Sequence, residues 1–364
     1  MWVGVFPALS QTGGVQQVGR HVGAVLAKRA RDRRVPCELL GLNDARGAGS
    51  FKVGAQEYAF TGFGRGKISL LLFLFRRLPR IEILYLGHVN LAPIGLLLKS
   101  LSPSLQYCVV THGVEVWEPL SFFRRVALRR AQRVMAVSAY TANAMVKAQK
   151  VRPENVFVVY PALDPDFTQE PRDKASLPFP TRGRMLLTVG RLISSEPGKG
   201  IELVIKALPE LTKIAPDIFY VIVGEGDLQP RLEELARENS VSDRVVFSGA
   251  GGLEQLKGYY SRADIYVMPS RQEGFGIVFL EAMIFGKPVI AGAYGGSPEI
   301  VQDGMTGFTV MPGDLEALTA RLIRLLQDEA LRTKMGVAGR QRVSQDFSFE
   351  RFEEGLTKIL DARN

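Results

Sequence analysis

Glu273 and Glu281 stand eight positions apart in Ser270-Arg-Gln-Glu-Gly-Phe-Gly-Ile-Val-Phe-Leu-Glu-Ala282, directly after an apolar run that ends near Pro269. Gly274 and Gly276 let a backbone approach a ligand closely, and a helix predicted from Ile277 turns its N-terminus toward the same place. Gly286 and Pro288 close that helix. Glu273 therefore falls in the loop and Glu281 about one turn into the helix. Carboxylates repel phosphates but accept hydrogen bonds from hydroxyls, so a sugar and a ribose suit the pair. The same spacing fits equally a Glu273 that caps the helix and a Glu281 on a solvated face.

A second strand-loop-helix passage, Thr188-Val-Gly-Arg191 to Lys199-Gly200, places two cations at a strand end and a helix start. Arg191 offers a bidentate fork and Lys199 a point charge, a combination that can bracket a diphosphate. The Walker A spacing is missing, which argues against ATP hydrolysis. Gly13-Gly14 after the first strand can bring backbone amides to a phosphate or sugar. No dinucleotide fingerprint of three spaced glycines follows either candidate strand, which argues against NAD and FAD. His112, one of three histidines, follows another strand in Val110-Thr-His-Gly-Val-Glu115. Ser138 after the next strand reads equally as a helix cap. Asp164-Pro-Asp166 has nothing acidic nearby and reads as a turn, not a metal pair.

These loops need strands and helices in alternation to hold them. Apolar runs at Trp2–Phe6, Ile83–Leu86, Tyr107–Val110, Val134–Val137 and Val156–Val159 read as strands, with helices over 15–31, 93–101 and 120–133. The pattern restarts at Met185–Val189, 219–223, 245–247, 265–268, 289–291 and 307–310, with helices over 201–214, 228–238, 254–261, 277–285 and 315–327. This is α/β architecture with parallel sheets. At 364 residues one core is too small, and the proline-punctuated stretch 161–184 marks a boundary. Two such units in tandem predict a ligand cleft between them, beyond the carboxyl ends of the strands. Charged residues at 23% and apolar residues at 46% exclude a largely disordered chain.

The charge is uneven. Residues 1–165 carry 22 Lys and Arg against 9 Asp and Glu, and the remainder 24 against 28. Arg65, Lys67, Arg76, Arg77 and Arg80 surround the apolar Ile68–Phe75, and Phe122-Phe123 adjoins Arg124, Arg125, Arg129 and Arg130. Such a split suits a half that meets something anionic, such as a membrane surface, a phosphorylated lipid or nucleic acid, the plain alternative being an excess of solvated arginine; apolar residues flanked by cations suit a membrane interface. Solvated arginine on core helices is the plainer account of the second segment. The opening Met1–Phe6 reads as a strand and not a signal peptide, and no apolar run reaches the ~20 residues of a membrane span. Two cysteines, Cys37 and Cys108, form no framework. The expectation is a cytoplasmic protein, peripheral at the inner face of the membrane.

Taken together these residues resemble glycosyltransferase family 4, retaining enzymes of the GT-B fold, with Glu273 and Glu281 meeting the Glu-x7-Glu signature. The resemblance implies two Rossmann-like domains whose parallel sheets face each other across a cleft: an acceptor domain over 1–165, a nucleotide-sugar domain over 166–345, and a last helix within 346–364 crossing back. It implies transfer of mannose or glucose from a GDP- or UDP-linked donor to a hydroxyl of a glycan or lipid-linked acceptor, as in cell-surface polysaccharide or glycolipid synthesis. By the same resemblance Glu273 binds hydroxyls of the transferred sugar beside the amides of Phe275 and Gly276, and Glu281 holds the ribose. Arg191 and Lys199 neutralise the diphosphate, Gly14 approaches phosphate and sugar, His112 contacts the sugar near its 6-hydroxyl, and Ser138 supports the site. The base falls near 249–256. Neither cofactor nor catalytic metal is implied. The stretch Ser194–Pro197 makes the Arg191–Lys199 loop longer than in compact members. Other GT-B chemistries, a nucleotide-sugar epimerase or an α-glucan synthase, are the enzymatic alternatives, and a basic nucleic-acid-binding protein the non-enzymatic one. The glucan synthases' lysine before the Gly-Gly turn is replaced here by Thr12, and no nucleic-acid module is recognisable.

Overall fold

The computed structural model describes residues 1–168, 183–194 and 198–361. Much of the 161–184 boundary stretch and Ser195–Pro197 lie outside the described residues. The chain divides into two compact units, Met1–Asp166 together with the segment from Phe347, and Phe167–Asp346.

The first unit holds an eight-stranded sheet of β1 (Trp2–Phe6), β2 (Cys37–Gly41), β3 (Gly47–Val53), β4 (Gln56–Gly62), β5 (Ile83–Leu86), β6 (Gln106–Thr111), β7 (Arg133–Ala136) and β8 (Val156–Val158). Their order is β3-β4-β2-β1-β5-β6-β7-β8, parallel except for the β3–β4 pair. Helices α1 (Gly14–Asp32), α2 (Lys67–Arg77), α3 (Ala92–Leu101), α4 (Phe122–Arg130) and α5 (Ala139–Gln149) connect them. One sheet face, with Val3, Val5, Leu84 and Val109, packs on Leu70 and Leu74 of α2, Leu98 of α3, Leu128 of α4 and Met145 of α5. On the other face Phe6 lies against Gly19 of α1, as the two-residue period of a strand requires.

The second unit is a six-stranded parallel sheet of β9 (Met185–Val189), β10 (Phe219–Val223), β11 (Val245–Phe247), β12 (Ile265–Met268), β13 (Val289–Gly292) and β14 (Gly307–Val310), ordered β11-β10-β9-β12-β13-β14. Helices α6 (Ile201–Ile214), α7 (Gln229–Glu238), α8 (Leu253–Arg262), α9 (Ile277–Ile284), α10 (Ser297–Ile300), α11 (Leu315–Gln327) and α12 (Glu329–Asp346) complete it. The last helix, α13 (Phe349–Asp361), belongs to the first unit and sets Phe349 and Phe352 edge-on to His21 of α1.

The α/β reading is borne out, but β2, β3 and β4 are additions to it. The last two carry a period-2 signal, with Phe51, Val53, Tyr58 and Phe60 buried and their neighbours largely exposed. Gly47, Gly49 and Gly62 within the strands mask that signal, since glycine is depleted in sheets. The predicted helix over 120–133 is shorter, because residues from Arg133 onward are drawn into β7 beside β6.

Candidate functional site

In an open parallel sheet the ligand crevice forms where the strand order reverses, because loops from the two flanking strands diverge there. In the second unit the reversal lies between β9 and β12. Gly190 and Arg191 leave the end of β9, and Ser270 to Gly276 leave the end of β12. The structure thus gathers at one switch point the two segments that the sequence separates by some eighty residues.

Lys199 Nζ donates to Glu273 Oε2 at 2.9 Å. Both side chains are mostly buried, at 25% and 16% exposure, so the pair is more than a solvated surface contact. Arg191 and Lys199 line one small cavity with Gly198, Glu202 and Leu232. Gly200 makes the close approach possible: a Cβ there would come within 2.5 Å of the Pro269 carbonyl oxygen, and its φ is +78°. Glu273 is also fixed through its backbone, whose carbonyl accepts from Gly296 N at 2.8 Å. Gly276, at φ +99°, is the N-cap of α9, and no side chain caps that helix. Phe275 is buried beside it.

Glu281 sits inside the unit, only 7% exposed, where Tyr260 Oη donates to its Oε2 at 2.7 Å. Burial, then the Glu281 charge, push the Tyr260 phenol well above its ordinary range, so it stays a donor. That bond holds one oxygen of the carboxylate in place. Neither the solvated face nor the helix cap describes these two glutamates.

In the first unit the reversal lies between β1 and β5. Gly13 and Gly14 leave β1, with Gly13 at φ +133°, and α1 begins without a side-chain cap. Its first N–H groups thus lack intrahelical acceptors. His112, after β6, bonds through Nε2 to the Gly87 carbonyl at 2.9 Å, and its own N–H donates to Glu115 Oε1 at 2.5 Å. A carbonyl only accepts, so Nε2 carries the proton and Nδ1 presents a lone pair. Burial drives this imidazole down to about 4, the Gly87 bond opposing weakly. His88, which the sequence reading passed over, stacks on it at 5.6 Å and takes Asn90 N on its Nδ1. Burial, then His112, lower its pKa to about 4 as well. Its type and its place at a strand end were the available signal. Ser138 caps α5, its Oγ accepting from Thr141 N at 3.1 Å. Asp164 makes the expected turn, accepting from Asp166 N at 3.0 Å, and also approaches buried His21 at 3.7 Å.

The two depressed imidazoles make stability pH-dependent. Between their folded values and the ordinary 6.5, the unfolded chain binds protons that the native unit refuses. Stability therefore rises with pH across that window and is lost as pH falls from about 6.5 toward 4. We expect the melting temperature to drop between pH 7 and pH 5, and to drop less in His88→Gln. Equal drops in both proteins would remove His88 from this account.

Residues 13–167 match the family described as Glycosyltransferase Family 4, and residues 169–342 that described as Glycosyl transferases group 1. A GDP-mannose-dependent alpha-(1-6)-phosphatidylinositol monomannoside mannosyltransferase of Mycolicibacterium smegmatis is 33% identical over 302 residues, 78% of this chain and 77% of that protein. The chain belongs to glycosyltransferase family 4. A Corynebacterium glutamicum mannosyltransferase, named for a monoacylated form of the same acceptor, is 34% identical over 69% of each chain. Among solved structures, sucrose-phosphate synthase of Thermosynechococcus elongatus superposes with a TM-score of 0.80 at 23% identity, covering 99% of this chain and 98% of that one. The family 4 protein described here thus has the GT-B fold, and it is a hexosyltransferase that draws on a nucleotide sugar.

Proposed function

We propose that the protein transfers mannose from GDP-mannose to a lipid-linked acceptor, with retention and without a metal. The observation that carries the reading is the Lys199–Glu273 pair beside Arg191 at the β9/β12 switch point. It sets a carboxylate for sugar hydroxyls next to cations for a leaving diphosphate, and charge that develops on departure is stabilised by groups already in place. Glu273, with the amides of Phe275 and Gly276, binds the sugar; Glu281, oriented by Tyr260, binds the ribose; residues 249–256 take the base. In the first unit the amides from Gly14 onward serve the phosphate and sugar, and His112 accepts from a sugar hydroxyl through Nδ1. The C1–O bond to the diphosphate breaks, the acceptor oxygen bonds C1 on the same face, and the departing phosphate takes the acceptor's proton. The donor assignment follows the relatives named for GDP-mannose. Incubation with GDP-mannose, UDP-glucose and an isoprenoid- or inositol-lipid acceptor in EDTA tests it. GDP release with a retained anomeric linkage is expected; release of UDP alone, or dependence on added Mg²⁺, would overturn the donor or the metal assignment.

We further propose that the protein works at an anionic membrane surface; the support is that α2 carries apolar residues on its exposed side as well as its buried one. Leu70 and Leu74 enter the core, while Ile68 (75% exposed), Leu72 and Phe75 point outward. Phe122 and Phe123 (72%) project from α4, which packs against the same sheet face. Arg76 lies exposed in the last turn of α2, and Arg80 lies exposed in the short turn that follows it. No helix among the described residues is long and apolar enough to cross a membrane. Each cation near an anionic bilayer contributes about 1 kcal/mol, screened beyond a Debye length. The protein is expected to sediment with phosphatidylglycerol vesicles at low salt, and Arg76→Glu with Arg77→Glu to release it. Wild-type protein left in the supernatant would favour a soluble anionic acceptor.

A further inference from the structure

Asp44 is a buried carboxylate, 2% exposed, that follows β2. Its segment runs beside the exit of β1, with Leu42 N donating to Phe6 O at 3.0 Å and Asn43 N to Pro7 O at 2.8 Å. The carboxylate continues the series: Oδ2 accepts from Leu9 N at 2.8 Å, and Oδ1 from Ser10 N at 2.9 Å and from the Ser10 hydroxyl. Gly41 provides the room, since a Cβ there would fall 1.9 Å from Asp44 Oδ2. From α1, Arg20 Nη1 donates to Leu9 O at 3.3 Å and to Gln11 O at 2.8 Å. An anion and a cation thus hold four main-chain groups within Leu9–Gln11, just before Gly13 turns at φ +133° into the uncapped N-terminus of α1.

Both side chains act on the main chain of this loop, and Arg20 also lies close enough to Asp164 for their charges to interact. A buried charge is costly unless fully hydrogen-bonded, and here three donors surround one carboxylate. Ionised partners confine the loop more tightly than neutral ones, so the amides from Gly14 onward are presented in one geometry.

We infer that Asp44 and Arg20 are positioning residues for glycosyl transfer: they clamp Leu9–Gln11 so that the start of α1 meets the donor's anionic part without rearrangement. This rests on the reading of Gly14 given above. Neither side chain touches the donor in this account.

Asp44→Asn keeps the shape but replaces one carboxylate oxygen by an amino group, which then faces a backbone N–H donor to donor. GDP release from GDP-mannose is expected to slow by ~10- to 100-fold, the scale of a misplacement of about 1 Å. Arg20→Gln should shift in the same direction. The melting temperature reports any loss of fold separately, and Arg20→Gln keeps the inference testable if Asp44→Asn does not fold. A merely structural role is distinguished by a double-mutant cycle with Gly14→Ala. If Asp44 acts through this loop, the double variant is about as slow as the worse single variant, because the same interaction is lost once. Multiplying losses, or wild-type kcat in a folded Asp44→Asn, overturn the inference while a sensitive Gly14→Ala leaves the loop reading standing. Wild-type turnover by Gly14→Ala overturns that reading, and the inference with it.

Discussion

Glu273→Ala is expected to fold like the wild type and to turn over donor at least ~100-fold more slowly, about 2.7 kcal/mol in the barrier. The loss is large because the carboxylate is held before any ligand arrives. Lys199 fixes Oε2 at 2.9 Å, and Gly296 N fixes the residue's carbonyl at 2.8 Å. Such a group needs no reorganisation as charge develops on the sugar. The fold survives because Glu273 lies in the loop between β12 and α9, outside the buried strand residues Ile265–Met268. Glu273→Gln retains an acceptor but loses the ion pair, and should fall between the two. Turnover is read as GDP released, with circular dichroism and melting temperature as controls. Near-wild-type transfer by a folded Glu273→Ala would remove the residue from the site.

Arg191→Ala and Lys199→Ala are each expected to cut kcat/KM for the donor by ~100-fold, with weaker GDP binding by calorimetry. Arg191→Lys should recover only part, because an ammonium cannot reproduce the bidentate fork. On the proposed reading the removal of Lys199 has a double effect: it takes a cation from the diphosphate and breaks the 2.9 Å contact with Glu273. Lys199→Ala and Glu273→Ala should therefore combine to less than the product of their separate losses, as residues in contact do. Unchanged GDP affinity in Arg191→Ala would show that the phosphates bind elsewhere, and a fully multiplicative Lys199/Glu273 pair would show that the 2.9 Å contact has no part in turnover.

The sequence by itself determined the α/β class, because strand-forming runs and helical periodicity are local and alternate through most of the chain. It also marked where chemistry can occur: strand ends followed by glycine, cations, paired glutamates and a histidine. These are short-range signals, carried within a dozen residues. It did not disclose β3 and β4, whose glycines weaken their alternation, nor the order of strands in either sheet. That order is a tertiary decision, and it alone brings the end of β9 beside the end of β12 and pairs Lys199 with Glu273 across 74 positions. The burial of Glu281 against Tyr260, the stacking of His88 on His112 and the hold of Asp44 on Leu9 and Ser10 have the same origin. Each joins residues on different elements, 21 to 35 positions apart. A side chain's type tells what it can bond, but what it does bond depends on which elements the packed sheets set side by side, and burial then decides its charge.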